Sequence, residues 1–180
     1  GHKAGWLTLE AGIAGGADII LIPEIPYENK YIIRAIEKRN AAGKRFSILA
    51  VAEGAISKED SLLTKKELKA KLANRKYPSI SYQLAEELQT ALGQEVRVTV
   101  PGHFQRGGSP CPFDRTLATR LGAAAAQLVI NKNYGNMVAL RGTDIVPVPL
   151  GEVAGKLKVV PKDSDIVQAA RQIGVSFGDC

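Results

Sequence analysis

Cysteine is scarce: Cys111 and Cys180 are the only two in 180 residues, and they form no Cys-x-x-Cys pair. That excludes a disulfide framework and a cysteine-built zinc site, and it leads us to expect a reducing, cytoplasmic setting. Aromatic residues make up only 6% of the chain and are not interleaved with basic ones, which weighs against a stacking platform for single-stranded nucleic acid. No apolar run approaches the roughly 20 residues needed to cross a bilayer, so no integral membrane protein is expected. No basic, apolar, small-residue leader opens the chain, so no secretion signal is expected either. The sequence has no Gly-x-x-x-x-Gly-Lys-Ser/Thr loop, no Gly-x-Gly-x-x-Gly and no metal-ligand cluster. It also lacks a pair of aspartates in a glycine loop of the kind that holds Mg²⁺ and deprotonates a hydroxyl. Internal repeats and low-complexity segments are absent.

What is present describes a globular chain. Hydrophobic residues are 45% and charged residues 23%, and the length suits one ordinary domain or two small ones. Lys and Arg number 24 against 18 Asp and Glu, giving +6 and a pI near 9.4. The surplus favours anionic partners, but nucleic acid, a membrane surface and phosphorylated metabolites all satisfy it. The chain opens on Gly1 rather than Met. Gly-His is a common remnant of tag removal and could equally be native, and a piece of something longer is expected.

Periodicity organises the chain. Residues 3–14 read as a helix with Trp6, Leu9 and Ile13 on one stripe, stopped by Gly15-Gly16. Asp18-Ile-Ile-Leu-Ile22 is the apolar run of a parallel strand covered on both faces. A helix is expected over 28–42, and a second buried strand over Ser47–Ala52 completes a βαβ unit. Thr64-Lys-Lys-Glu67 has the form of a capping box opening a charged helix. Leu84, Leu88 and Leu92 mark a helix over 80–92 that ends at Gly93. Val96, Val98 and Val100, alternating with Arg97 and Thr99, predict a strand with one buried face. A glycine-rich loop from Gly102 to Pro110 is followed by a helix over about 114–131 with Leu117, Leu121 and Leu128 inward. Short strands near 136–141 and 144–149 and a helix near 164–172 close the list. The fold class expected is α/β, an open and mostly parallel Rossmann-like sheet flanked by helices. In such sheets ligands bind outside the carboxyl ends of the strands. That directs attention to Pro23-Glu24, Glu53-Gly54-Ala55 and Gly102–Pro110.

The segment Pro101-Gly-His-Phe-Gln-Arg-Gly-Gly-Ser-Pro110 is the richest in chemistry. His103 and Arg106 beside flexible backbone suit a phosphate monoester: a guanidinium offers paired donors, imidazole a further donor, and glycine lets the backbone come close. A surface turn with incidental polar residues fits the same spacing. Arg97, on the polar face of the strand before, is either a solvated charge or a third cation. Glu53 ends an apolar strand, where a carboxylate accepts from sugar hydroxyls or merely caps a helix. Glu24 carries the same ambiguity and leans to a structural role. His2 and Lys3 stand at a helix start, where a nearby anion would be welcome.

Gly-His-Phe-Gln-Arg-Gly-Gly-Ser-Pro (102–110) followed by Phe113-Asp-Arg115 resembles the signature segment of the 6-phosphofructokinases. The opening Gly1-His-Lys-Ala-Gly-Trp-Leu resembles that family's Met-Gly-Arg segment. Ile13-Ala-Gly-Gly-Ala-Asp18, Ile22-Pro-Glu24 and Ala52-Glu-Gly54 follow in the family's order and spacing. The agreement is dense from Gly1 to about residue 150. The Lys-Ala-Gly-Trp wording is similar to the branch holding cyanobacterial and mixed ATP/pyrophosphate enzymes.

The resemblance implies phosphoryl transfer from MgATP, or from pyrophosphate, to the 1-hydroxyl of fructose 6-phosphate in glycolysis. It also implies that this chain is the C-terminal half only. The missing N-terminal half would supply most of the ATP or pyrophosphate and Mg²⁺ contacts together with the general base, so the chain by itself is expected to be inactive. By resemblance Glu53 binds fructose hydroxyls, and His103 and Arg106 hold the 6-phosphate. Arg97 reaches a neighbouring subunit's substrate, and Gly1 contacts the sugar through its backbone. His2 replaces the family arginine that steadies the transferring group, a departure because neutral imidazole cannot stand in for a fixed guanidinium charge; Lys3 is a candidate to compensate. Asp18, Lys44 and Arg45 sit where bacterial relatives bind allosteric effectors, with structural use the competing expectation. Residues 1–104 plus 156–180 would form the fructose 6-phosphate-binding domain, and 105–155 would pack on the missing nucleotide-binding domain. The implied assembly is a cytoplasmic homo-oligomer, a homotetramer, with no nucleic-acid or membrane partner. The rival readings are a non-catalytic phosphosugar-binding module and a basic nucleic-acid-binding domain.

Overall fold

A computed structural model describes residues 2–180. In chain order the elements are α1 (Trp6–Ala14), β1 (Ile19–Leu21), α2 (Asn29–Ala41), β2 (Leu49–Val51), α3 (Lys58–Ser61), α4 (Lys65–Ala73) and α5 (Ile80–Leu92). A 3₁₀ turn (Gly102–Arg106) follows, then α6 (Pro112–Ile130), β3 (Asn136–Arg141), β4 (Asp144–Pro149), α7 (Leu150–Val153) and α8 (Asp165–Gln172). The chain divides into two compact units. One runs to Thr99 and takes in Lys158–Cys180; the other is Val100–Leu157. The boundaries expected from sequence are 104/105 and 155/156.

In the first unit β1 pairs in parallel with β2, Ile20 opposite Ala50. On its other edge β1 bridges Ser176, also in parallel, with the Ile20 N–H donating to the Ser176 carbonyl at 2.9 Å. The run 19–22 has no exposed surface at all, and its side chains alternate between two cores. Ile20 and Ile22 face Leu9 of α1, Val167 and Ala170 of α8, and Phe177. Ile19 and Leu21 face Ile32 and Ile36 of α2 and Leu84 and Leu88 of α5. Each such burial contributes about 1.5–3 kcal/mol, so this short strand is worth far more than its ladder.

Local chemistry sets the helix ends. Thr64 and Glu67 form the expected capping box: the Thr64 N–H donates to Glu67 at 2.8 Å and the Glu67 N–H returns to Thr64 Oγ1. That bonding holds the Glu67 carboxyl below its ordinary range. Gly93 ends α5 in the left-handed region, φ 62°, where a side chain would be strained. α1 starts at Trp6 rather than residue 3, because the Gly5 N–H is taken by the Glu24 carboxylate at 2.9 Å, which fixes the chain just before the helix.

The second unit holds α6 against the antiparallel hairpin β3–β4, in register from Asn136↔Pro149 to Arg141↔Asp144. Leu117, Leu121 and Leu128 turn toward its interior as expected but are only half-buried, and Val148 is the one buried residue among 100–157. One expected element is corrected: residues 96–100 are not a strand. Val96 and Val98 are half-buried, Arg97 and Thr99 are exposed, and Val100 is exposed as well, so the alternation marks a partly covered face over 96–98 only. No neighbouring backbone completes a ladder there, and the Val96 N–H goes to the Gln89 side chain instead.

Gly5→Ala tests the close approach at the start of α1. A Cβ there would overlap Ile22 and lie 2.8 Å from Glu24 Oε2, so urea unfolding is expected to show a loss of about 1–3 kcal/mol. Acid titration tests the far end of the unit. Burial by itself raises the Asp179 carboxyl, but the paired hydrogen bonds from Arg171, at 2.9 and 2.7 Å, outweigh it and hold the group below its ordinary range. The ionised pair therefore stabilises the fold above the unfolded carboxylate pKa of about 3.9 and loses that contribution as pH falls through the lower folded value. Wild type and Asp179→Asn should differ in urea midpoint at pH 7 and converge in strong acid.

Candidate functional site

Both strand ends of the first unit carry a glutamate, and the fold treats the two oppositely. Glu24, past β1, accepts from the Gly5 N–H at 2.9 and 3.1 Å and from the Val160 N–H at 2.9 Å. Its oxygens are occupied in joining three chain segments, which is a structural use. Glu53, past β2, makes no backbone contact of this kind among the described residues. Its side chain is 61% exposed, and its Oε2 lies 3.4 Å from His2 Nε2. Ala52 just before it is buried in the second core, and Glu53 is exposed.

His2 and Glu53 open onto a cavity of about 390 Å³ whose far side is built by the segment between α3 and α5, with Lys71, Arg75, Lys76 and Gln83 among its lining. Lys71 is ion-paired with Asp60, which raises its ammonium above the ordinary value. Lys76 donates to the Tyr77 hydroxyl and sits 3.5 Å from Glu86, and it too is raised, Tyr77 contributing most. Nearby, the buried Tyr27 hydroxyl is pushed up, first by burial and then by Glu87 and Asp60, with Arg75 pulling the other way. The arrangement offers a carboxylate acceptor and an imidazole on one wall and cations on the other, a setting suited to a hydroxylated anion.

The remaining expected residues lie elsewhere. Arg97 lines a different cavity of the first unit, about 610 Å³, together with Arg45 and the apolar faces of Leu84 and Leu88. Its Nε donates to Glu95 at 2.8 Å, both side chains being largely exposed. His103 and Arg106 stand in the second unit on the 3₁₀ turn, which is held by the Phe104 N–H to Pro101 and the Gly107 N–H to Phe104, both 3.1 Å. Residues three apart eclipse on a 3₁₀ helix, so the imidazole and guanidinium share one exposed face. Gly108, at φ 98°, lets the backbone turn beside them. Asp18 is tied to Arg39 at 2.8 Å and accepts from the Ile48 N–H at 2.8 Å. Lys44 and Arg45 are exposed and have no ion-pair partner among the described residues. Gly1 lies outside the described residues. Arg75 was not legible from sequence, where it is one cation in a polar stretch.

The phosphofructokinase family model matches residues 1–129. An ATP-dependent 6-phosphofructokinase of Spirochaeta thermophila is 55% identical over 179 residues, covering 99% of this chain and 49% of that protein. One from Propionibacterium freudenreichii is 46% identical, covering 99% and 52%. The chain thus spans about half the length of the curated relatives it matches. Among solved structures, Pichia pastoris phosphofructokinase in the T-state superposes with a TM-score of 0.64 at 34% identity over 84% of this chain and 15% of that one. A pyrophosphate-dependent phosphofructokinase of Nitrosospira multiformis gives 0.70 over 98% and 46% at 16% identity, a likeness of fold.

Glu95→Gln should release Arg97 at little cost, because exposed pairs of this kind contribute about 0–1 kcal/mol. Urea midpoints are expected to agree within error. Sulfate titrated into labelled protein should perturb the Arg97 region more strongly in the variant than in wild type.

Proposed function

Starting from the fact that the chain belongs to the phosphofructokinase family, we propose that it is the C-terminal, fructose 6-phosphate-binding half of a 6-phosphofructokinase. The observation that carries the reading is Glu53, an unclaimed carboxylate at a strand's carboxyl end with an imidazole beside it and cations across its cavity. In this reading Glu53 accepts hydrogen bonds from the fructose hydroxyls and orients the ring. His103 and Arg106 hold the 6-phosphate, their shared face presenting a ring N–H and a planar fork of donors. Arg97 serves a neighbouring subunit's substrate. His2 takes the place nearest the transferring phosphoryl group, with less fixed charge than the arginine it replaces. Catalysis by this half consists of positioning and charge neutralisation.

ATP is the proposed donor, supported by the names of the curated relatives. Bound as its magnesium complex, it would supply the phosphoryl group. Among the described residues no group of three His, Cys, Asp or Glu side chains is arranged to hold a metal ion. The residues present do not fit Mg²⁺, and the donor side and the general base are assigned to sequence outside this chain. The second unit supports the same division. With Val148 its one buried residue and Phe113, Val129, Ile130 and Tyr134 each more than 60% exposed, it has the surface of a body meant to pack on something larger. A cytoplasmic homotetramer with effector binding near Lys44 and Arg45 completes the proposal. Among the described residues no helix is long and apolar enough to cross a membrane.

Amide spectra of the isotope-labelled chain during titration with fructose 6-phosphate test this reading, with fructose and sulfate as controls. Saturable shifts at Glu53 and at His103–Arg106, specific to the phosphosugar and weakened about 10-fold or more by Glu53→Gln, are expected. Identical shifts with sulfate, or steeply salt-dependent binding to generic DNA with none to the sugar, would overturn it.

A further inference from the structure

Among the charged side chains around the Glu53 cavity, Arg75 stands apart. It is half-buried and lines the cavity, and its side chain has neither an ion-pair nor a hydrogen-bond partner among the described residues. The carboxylates nearest its neighbourhood are already engaged. Both oxygens of Glu87 accept, from Asn29 at 2.6 Å and Gln83 at 2.9 Å, and Asp60 is taken by Lys71. The other two cations of that wall have partners, Lys71 in Asp60 and Lys76 in Glu86. Partial burial of a guanidinium without a counter-charge is costly, and an arriving anion relieves it. The same cavity is lined by Glu53 with His2, so an anion held at Arg75 would belong to a molecule able to present hydroxyls to Glu53.

We propose that Arg75 is a further phosphate-binding side chain of the sugar pocket, supplied by the segment between α3 and α5. The inference rests on the reading of Glu53 as a sugar-hydroxyl acceptor and adds a cation to the Glu53 cavity of the first unit. Arg75 contacts a phosphate monoester of the sugar ligand, binding it equally in the ground and transition states. Its loss therefore weakens substrate binding without slowing the bound complex.

Steady-state kinetics of the full-length enzyme containing this chain decide the matter, with Arg75→Met and Arg75→Lys compared to wild type. Arg75→Met should raise KM for fructose 6-phosphate about 10-fold or more, the loss of a charge-assisted hydrogen bond, with kcat and KM for the donor within about 3-fold. Arg75→Lys should recover part of the loss, since an ammonium keeps the charge but not the fork. If Arg75→Met melts well below wild type, Arg75→Gln carries the same comparison. Unchanged KM for the sugar, or a rise confined to KM for the donor, overturns the proposal. Inactive wild-type enzyme would instead refute the functional reading beneath it, so the two failures are told apart.

Discussion

Burial of the four residues Ile19–Ile22 on both faces is the constraint from which the first unit follows. Two residues point each way, so each face demands a cover of helices, and the chain supplies α1 and α8 on one side and α2 and α5 on the other. Because both edges of β1 are used in parallel, by β2 and by the backbone at Ser176, the carboxyl ends of β1 and β2 fall on one side. The glutamates following these strands are brought to that side by the core and not by any attraction between them. The position of the candidate site is therefore a consequence of apolar packing, and its chemistry is a consequence of which carboxylate the packing leaves unused.

That distinction separates residues of the same type. Glu24 has its oxygens filled by two backbone donors, and Asp18 is held by Arg39 and Ile48, so neither has capacity for a ligand. Among the described residues Glu53 faces an exposed histidine, a contact that high dielectric makes weak enough for a competing donor to displace. On the cationic side the same accounting sets Arg171, fully engaged by Asp179, apart from Arg75. A net charge of +6 says nothing about this, because it sums over charges spent on the fold and charges left for a partner.

Much of the fold was legible in the sequence. The 3.6-residue spacing of Leu84, Leu88 and Leu92, the Thr64–Glu67 box and the apolar run 19–22 each report a local requirement, and each appears where the pattern places it. The hairpin 136–141/144–149 matches to the residue. Residues 96–100 escaped because alternation reports a buried face, whereas a strand also needs a partner backbone at hydrogen-bond distance, which no local pattern encodes. The short α3 and α7 carry no periodicity to read. For the site, sequence singled out Glu53 by its place after a strand, and His103 and Arg106 by an imidazole and a guanidinium set in a glycine-rich segment. It could not see that Arg97 would lean on Glu95 or that Arg75 would line the Glu53 cavity. Pairing in space decides which charges remain, and pairing is not a property of spacing.

The two units differ in what stabilises them, and that bears on where a ligand could act. The first has two closed apolar clusters and would keep Glu53 in place without help. The second exposes most of the apolar side chains of α6, and its hairpin buries a single valine. The 3₁₀ turn with His103 and Arg106 belongs to this less buried body, and its order comes from short backbone bonds rather than from a core beneath it. Local segments with few buried contacts open at low free energy. A phosphate that gathered the imidazole, the guanidinium and the Gly107–Gly108 backbone would supply enthalpy that the local structure lacks. The backbone that carries Glu53 is thus held by the packing of Ala52 beneath it, while the exposed turn with His103 and Arg106 has no such core under it.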